Sequence, residues 1–272
     1  MDLQALQTNS SLHTHTVFCD GADDVETMCG AAYEKGLAAI GFSAHAPIYE
    51  KTGWETDWHL RDFAAYIAEV QAAKARWNGR LAVYAGLEVD FVKGLIGPAD
   101  FERKGLDYLI GSTHYLTTPS GGRFTVDGSV EELERGIALF GGAESMVNAY
   151  WDAEEALIAE GGFDILGHID LVKKNNRGGR YFSETALFYV ERITRIADIL
   201  AAVYAKRNIA VEVNTGGLNR GATTEIYPSP ALLRLLRERN VPVILTADAH
   251  CADHLDGNYA TGRGEMKKAG YL

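Results

Sequence analysis

The amino-acid sequence predicts an α/β protein built as a distorted, TIM-like (β/α)7 barrel, and three observations carry that expectation. Short apolar runs alternate with longer amphipathic ones along the whole chain, the pattern of repeated β-α units on a mostly parallel sheet. Seven such apolar runs are found, each followed by at least one helical stretch. The length, 272 residues, is long for an ordinary domain but normal for one barrel, so residues 1–272 are read as a single domain. A doubly wound open sheet is the alternative, and periodicity alone does not separate the two.

The first strand covers residues 11–15. A helix follows over 25–35, with Asp23 or Asp24 as N-cap and Gly36 as its stop. The second strand, 38–43, ends at Ala44-His45-Ala46-Pro47. The loop 48–58, rich in Trp, Tyr and charge, is long enough for a lid or a pocket wall. A helix over 60–77 places Leu60, Phe63, Ala64, Ile67 and Val70 near helical spacing. Strand three, 81–87, ends at Glu88; strand four, 106–111, ends at Ser112-Thr113-His114-Tyr115. After a glycine-containing segment, 119–128, Ser129-Val130-Glu131-Glu132 has the spacing of a capping box. It opens helical stretches that run to 139 and then over 145–160. Strand five, 163–167, ends at His168-Ile169-Asp170. The longest helix, 183–207, leads to strand six, 209–213, which ends at Asn214-Thr215-Gly216-Gly217. Ser229 and Pro230 are cap and first residue of a helix to 239. Strand seven, 241–246, ends at Asp248-Ala249-His250, and a last helix covers 262–269.

Composition narrows the function. Hydrophobic residues make up 47% and charged residues 23%, as in a soluble protein with a full core. Lys plus Arg total 26 against 37 Asp plus Glu, a net charge of −11. That balance argues against a broad nucleic-acid footprint. It leaves room for a phosphate substrate, because a few cations or metals can invert the field inside a cleft. Cys19, Cys29 and Cys251 form no disulfide framework and suit a reducing cytoplasm. Residues 1–11 lack the features of a signal peptide, and no apolar run reaches membrane-spanning length. A cytoplasmic protein with no membrane partner is expected.

The candidate ligands share one property. His13, His15, His45, Glu88, His114, His168, Asp248 and His250 all lie at or just past the C-terminal end of an expected strand. In a barrel those ends form one face, where active sites are built. His13 and His15, two apart, can aim at one point, and Asp20 follows five residues on. Of eight histidines, only His59 and His254 fall elsewhere. One strand-end histidine is ordinary packing, but six beside carboxylates on one face point to metal. Imidazole and carboxylate without thiolate suit catalytic Zn, Mn or Fe. The ligands outnumber what one tetrahedral ion needs, so two or three divalent ions are expected, with Glu88 as the natural bridge. Such a cluster can generate hydroxide at neutral pH, orient a phosphoryl group and stabilise its entering and leaving oxygens.

His13-Thr14-His15, Ser43-Ala44-His45-Ala46-Pro47, Gly86-Leu87-Glu88, Gly111-Ser112-Thr113-His114-Tyr115, Gly167-His168-Ile169-Asp170 and Asp248-Ala249-His250 resemble the successive motifs of the polymerase and histidinol phosphatase (PHP) superfamily. Segments between them, among them Val126-Asp127-Gly128-Ser129, Leu171-Val172-Lys173-Lys174 and Glu212-Val213-Asn214-Thr215-Gly216-Gly217-Leu218, resemble its monofunctional histidinol-phosphate phosphatase branch. The resemblance implies a trinuclear site at the strand C-termini. His13, His15, Glu88 and Asp248 would hold the first metal; Glu88, His114 and His168 the second; Asp20, His45 and His250 the third. Asp20 departs from many relatives, which carry histidine near this position, and a plain Asp20-Gly21 turn is its alternative role. Lys173 and Arg220 are the candidate phosphate-binding cations, Tyr115 a candidate hydroxyl donor and Arg177 a weaker candidate. Cys19 and Cys251 are read as small fillers beside ligands. The implied activity is metal-dependent hydrolysis of a small phosphate monoester, L-histidinol phosphate, by a metal-bound hydroxide without a phosphoenzyme. His13, His15, Glu88, Asp248 and His250 would form the catalytic set. Nucleotides, oligonucleotides or another small phosphate ester are the alternative substrates, and a non-catalytic subunit with a degenerate site is disfavoured by the full ligand set. The oligomeric state is left open.

Overall fold

Seven parallel strands form one sheet whose spatial order follows the chain. The structure is a computed structural model that describes residues 2–54 and 58–272. The sheet contains β1 (Ser10–Ser11), β2 (Ala39–His45), β3 (Ala82–Asp90), β4 (Tyr108–Ser112), β7 (Ile165–Leu166), β8 (Ala210–Asn214) and β9 (Val243–Thr246). The remaining strands, β5 (Tyr115–Thr117) and β6 (Arg123–Thr125), pair with each other as an antiparallel hairpin. Helices α1 (Val25–Glu34), α2 (Tyr49–Thr52), α3 (Phe63–Arg76), α4 (Val130–Leu139), α5 (Ala143–Glu160), α6 (Leu187–Tyr204), α7 (Gly216–Asn219), α8 (Pro230–Glu238) and α9 (Tyr259–Ala269), with short 3-10 turns at Pro98–Asp100, Leu171–Lys173 and Ala252–His254, complete the described elements. The strand order never reverses, which excludes the doubly wound alternative. Closure comes from Thr14, which bridges in parallel to Ala249. His15 N–H donates to the Ala249 carbonyl at 2.8 Å, and Ala249 N–H to the His13 carbonyl at 3.1 Å.

The first strand is shorter than its apolar pattern implies, for a local reason. Thr14 N–H donates to the Ser43 hydroxyl at 3.0 Å, and the Thr14 hydroxyl donates to the Gly41 carbonyl at 2.8 Å. Side chains thus take over part of the ladder after Ser11. Inside the bore, Leu3, Leu12, Tyr108, Ile110, Ile165, Ala210 and Ile244 form a separate apolar plug, as barrel interiors require. Tyr108 occupies space left by Gly41 and Gly86, where a Cβ would lie 2.5 Å from its ring or hydroxyl. Its hydroxyl donates to the Leu12 carbonyl. The larger core lies between strands and helices.

Four of the nine described helices, α1, α3, α4 and α8, start at a side-chain cap. Asp24 accepts from Thr27 N–H at 2.8 Å, Asp62 from Ala65 N–H at 2.9 Å, and Ser229 precedes Pro230 at the start of α8. Two expectations need correction. Ser129 caps α4, but the reciprocal half of the box is missing: Glu132 turns to Arg135 instead. The helix expected from 183 begins at Leu187, because the Ser183 hydroxyl is engaged with Thr185 in a local turn. The β5–β6 hairpin, with three residues per strand, is too short to show a period in the sequence. The expected loop 48–58 contains α2, and its residues 55–57 lie outside the described residues. Among the described residues no helix is long and apolar enough to cross a membrane.

Glu154 on α5 is fully buried, and neither carboxylate oxygen has a hydrogen-bond partner among the described residues. Burial pushes its carboxyl up to about 8, from an ordinary value of 4.5. Between these values the folded protein holds a proton that the unfolded chain releases, so its contribution to stability is fully present below 4.5 and is lost as pH rises towards 8. Glu154→Gln removes this dependence. Denaturant unfolding across that window should show the variant gaining on the parent as pH rises, by on the order of 5 kcal/mol above the upper limit; parallel pH profiles would refute the assignment.

Candidate metal centre

Strand register begins the assembly of the site. His45 at the end of β2 lies beside Glu88 on β3, and Ser112 at the end of β4 donates its hydroxyl to Glu88 Oε1 at 2.7 Å. Glu88 is buried and its two oxygens face different imidazole sets. Oε1 lies 3.0 Å from His168 Nε2 and 3.5 Å from His114 Nε2, which are themselves 3.2 Å apart. Oε2 lies 3.2 Å from His13 Nε2, 3.2 Å from His45 Nδ1 and 3.6 Å from His15 Nε2. Asp248 Oδ1 closes another corner, 3.6 Å from His13 Nε2 and 3.4 Å from His15 Nε2. Asp248 adopts a left-handed φ of 48°, backbone strain of the kind held at functional sites.

Asp20 is both a turn residue and a member of the cluster. Its Oδ2 lies 3.1 Å from His250 Nε2 and 3.7 Å from His45 Nε2, and its Oδ1 lies 3.4 Å from His15 Nδ1. The turn depends on Gly21, where a Cβ would sit 2.5 Å from the His15 and Thr16 backbone. Ala22 N–H donates to the His250 carbonyl at 2.7 Å, fixing Asp20 against its partner.

The structure therefore brings all nine expected metal-ligand residues to one place. Their donor atoms converge in four groups: His15, Asp20, His45 and His250; His13, His15 and Glu88; His13, His168 and Asp248; Glu88, His114 and His168. Separations of 3.0 to 3.7 Å between these donor atoms suit atoms sharing an ion at metal–ligand distances near 2 Å. The chemistry of the atoms agrees. His13 Nε2, His15 Nε2 and His45 Nδ1 are buried with no hydrogen-bond partner among the described residues, as free ligand nitrogens are. The donor set fits several divalent ions.

Residues behind the ligands set which nitrogen is presented. His13 Nδ1 lies 2.6 Å from Glu212 Oε1 and His114 Nδ1 lies 2.7 Å from Asp90 Oδ1. Each Nδ1–H donated to a carboxylate leaves Nε2 for metal. Glu212 also accepts from Thr246 at 2.6 Å and from His168 N–H at 2.7 Å. Asp90 is shared with His59 at 2.7 Å, so His59 supports the site from outside it. The sequence reading missed Glu212 and Asp90. Its available signals were a lone carboxylate amid apolar neighbours on β8, and a second one two residues past Glu88 on the same strand face.

Burial raises the Glu88 carboxyl, but His13, His45 and His114 outweigh it and hold the group well below the usual carboxylate range. Asp248 is likewise held low, with burial opposed by Arg220 and His13. Burial and the neighbouring His250 and His45 charges lower His15 to about 3. The site thus presents ionised carboxylates and, at His15, a neutral imidazole. Burial pushes the Cys19 thiol up to about 11, in keeping with a filler 3.6 Å from His15 Nδ1.

The cavity beside the ligands has a volume of about 240 Å³. Beyond the ligands its wall includes Trp58, Asp127, Leu171, Lys174, Arg220 and Tyr227. Arg220 projects into it from the end of α7, donating to Asp248 Oδ2 at 2.9 Å. Two sequence expectations are corrected here. Lys173 is buried and consumed by Glu225 at 2.6 Å, the Ile226 carbonyl at 2.8 Å and Asp170 at 3.2 Å; its neighbour Lys174 faces the cavity instead. Tyr115, the expected hydroxyl donor, does not line the cavity: it stacks on Trp58, with ring centroids 6.2 Å apart, and Trp58, from the loop expected as a lid or pocket wall, lines it. Arg177 lines a separate surface cleft with Lys173.

The chain belongs to the PHP domain family, whose match spans residues 11–216. A relative from Deinococcus radiodurans, named "Probable histidinol-phosphatase", is 29% identical over 95% of this chain and 92% of its own. A solved structure from Listeria monocytogenes covers 93% of this chain and 99% of its own, with a TM-score of 0.80 and 26% identity. The histidinol phosphate phosphatase from Lactococcus lactis, solved with Zn, L-histidinol and phosphate, covers 97% of this chain and 94% of its own, with a TM-score of 0.70 and 22% identity.

Glu212→Gln should lower metal affinity about 10–100-fold by weakening the hold on His13, with Asp90→Asn acting likewise through His114. Competition against a metallochromic chelator measures this, and unchanged affinity in both variants would refute the supporting role.

Proposed function

We propose that this chain is a metal-dependent phosphomonoesterase, a histidinol-phosphatase that hydrolyses L-histidinol phosphate to L-histidinol and phosphate. The observation that carries the reading is the Glu88 carboxylate, whose two oxygens face separate imidazole sets at the base of a small cavity. The names of its relatives support the particular substrate. We assign His13, His15, Asp20, His45, Glu88, His114, His168, Asp248 and His250 to the metals, taken as two or three Zn, Mn or Fe ions. When bound, such ions activate water and neutralise phosphoryl charge.

The other residues bind and orient. Arg220, braced on Asp248, presents guanidinium N–H groups to a phosphoryl oxygen, and Lys174 adds a second cation. The Tyr227 hydroxyl, buried without a hydrogen-bond partner among the described residues, is a further donor for a substrate oxygen. Catalysis by such an arrangement is mainly electrostatic and positional. A cavity of about 240 Å³ and a net charge of −11 favour a small ester over a nucleic acid. The three free thiols suit the cytoplasm, where we place the protein.

Phosphate release is the test. Protein loaded with Zn, Mn or Fe should prefer histidinol phosphate over sugar phosphates, nucleotides and a phosphodiester by at least about tenfold in kcat/KM, and a chelator should abolish turnover. A tenfold preference for another ester would overturn the named substrate; full turnover by metal-stripped protein would overturn the class.

A further inference from the structure

The cavity is electrically divided. Three of its carboxylates, Asp20, Glu88 and Asp248, lie within 3.7 Å of one or more imidazole nitrogens and belong to the metal centre. The fourth, Asp127, has no imidazole within ion-pair distance among the described residues. Its ion-pair partner is Lys174, whose Nζ lies 2.6 Å from Oδ1 and 2.9 Å from the Asp127 carbonyl. Oδ2 has no hydrogen-bond or ion-pair partner among the described residues. Burial alone would raise the Asp127 carboxyl, but Lys174 and His114 outweigh it and keep the group ionised.

The carboxylate is also firmly placed. Asp127 follows β6, whose register is set by the hairpin with β5, directly after the ligand His114. Val126 N–H donates to the His114 carbonyl at 2.9 Å. Asn175 donates to the Gly128 carbonyl at 2.9 Å, tying this segment to the loop that carries Lys174. Lys174 answers one oxygen of this carboxylate, and Oδ2 is left to accept from a positively charged group of a bound molecule.

We propose that Asp127 is a specificity residue that accepts a hydrogen bond from the ammonium group of a phosphate ester bearing an amine. This rests on the substrate reading above and assigns its amine to one side chain. The phosphoryl end lies among the metal ligands and Arg220, and the ammonium end reaches across to Asp127 Oδ2. Trp58, backed by Tyr115, supplies a flat aromatic wall for the remaining ring. The rival role for Asp127 is simply to hold Lys174 in place for the phosphate.

A comparison of two substrates separates these roles. Histidinol phosphate and its deamino analogue, imidazolylpropyl phosphate, present the same phosphate and ring. The kcat/KM ratio of the first to the second should fall about 10–100-fold in Asp127→Asn, the range of a charge-assisted hydrogen bond, mostly through KM. Asp127→Glu should recover part of the ratio. Bound metal equal to that of the parent establishes that the variant is folded. Equal losses on both esters would assign Asp127 to holding Lys174 and overturn the proposal. A parent protein that turns over neither ester would instead overturn the substrate reading, so the two failures are distinguishable.

Discussion

The buried carboxylate of Glu88 is the constraint on which the rest of the site depends. A lone ionised carboxylate at 1% exposure is strongly unfavourable in a protein interior. Here it is compensated on both oxygens: by His114, His168 and Ser112 on one side, and by His13, His15 and His45 on the other. These partners come from the ends of β2 and β4, and from the segments just past β1, β4 and β7. Only a closed parallel barrel brings those strand ends around one point, so fold and site impose the same geometry.

The seam of the barrel shows the coupling most directly. The residues that close it, Thr14 and Ala249, each lie between residues proposed as metal ligands in sequence. The bonds that join them run from the His15 N–H and to the His13 carbonyl. Closure of the sheet and the convergence of His13, His15, Asp248 and His250 are therefore one structural event. Loss of pairing here would separate ligands as well as strands.

Much of this was legible in the sequence, and the omissions have physical causes. Strand ends could be read because apolar runs stop where His45, Glu88, His114, His168 and Asp248 begin, and placement at a common face follows from parallel topology. Asp20 and Asp248 depend on turn and backbone geometry that periodicity does not encode. Lys173 and Lys174 are adjacent, so the sequence could not say which turns inward; the answer depends on Asp170 and Glu225 capturing Lys173. Tyr115 does not line the cavity because its ring, at the start of β5, stacks on Trp58, and that contact decides which ring faces the cavity. Glu212 and Asp90 act through other residues, and their roles appear only once His13 and His114 have fixed orientations.

The central claim is that Glu88 sits between ions on its two sides. Anomalous diffraction from crystals of the metal-loaded protein, recorded at the absorption edge of the bound element, tests it most directly. The account predicts at least two peaks per chain, one beside Oε1 near His114 and His168 and one beside Oε2 near His13. Active protein with no peak at Glu88, or with metal bound only elsewhere, would contradict it.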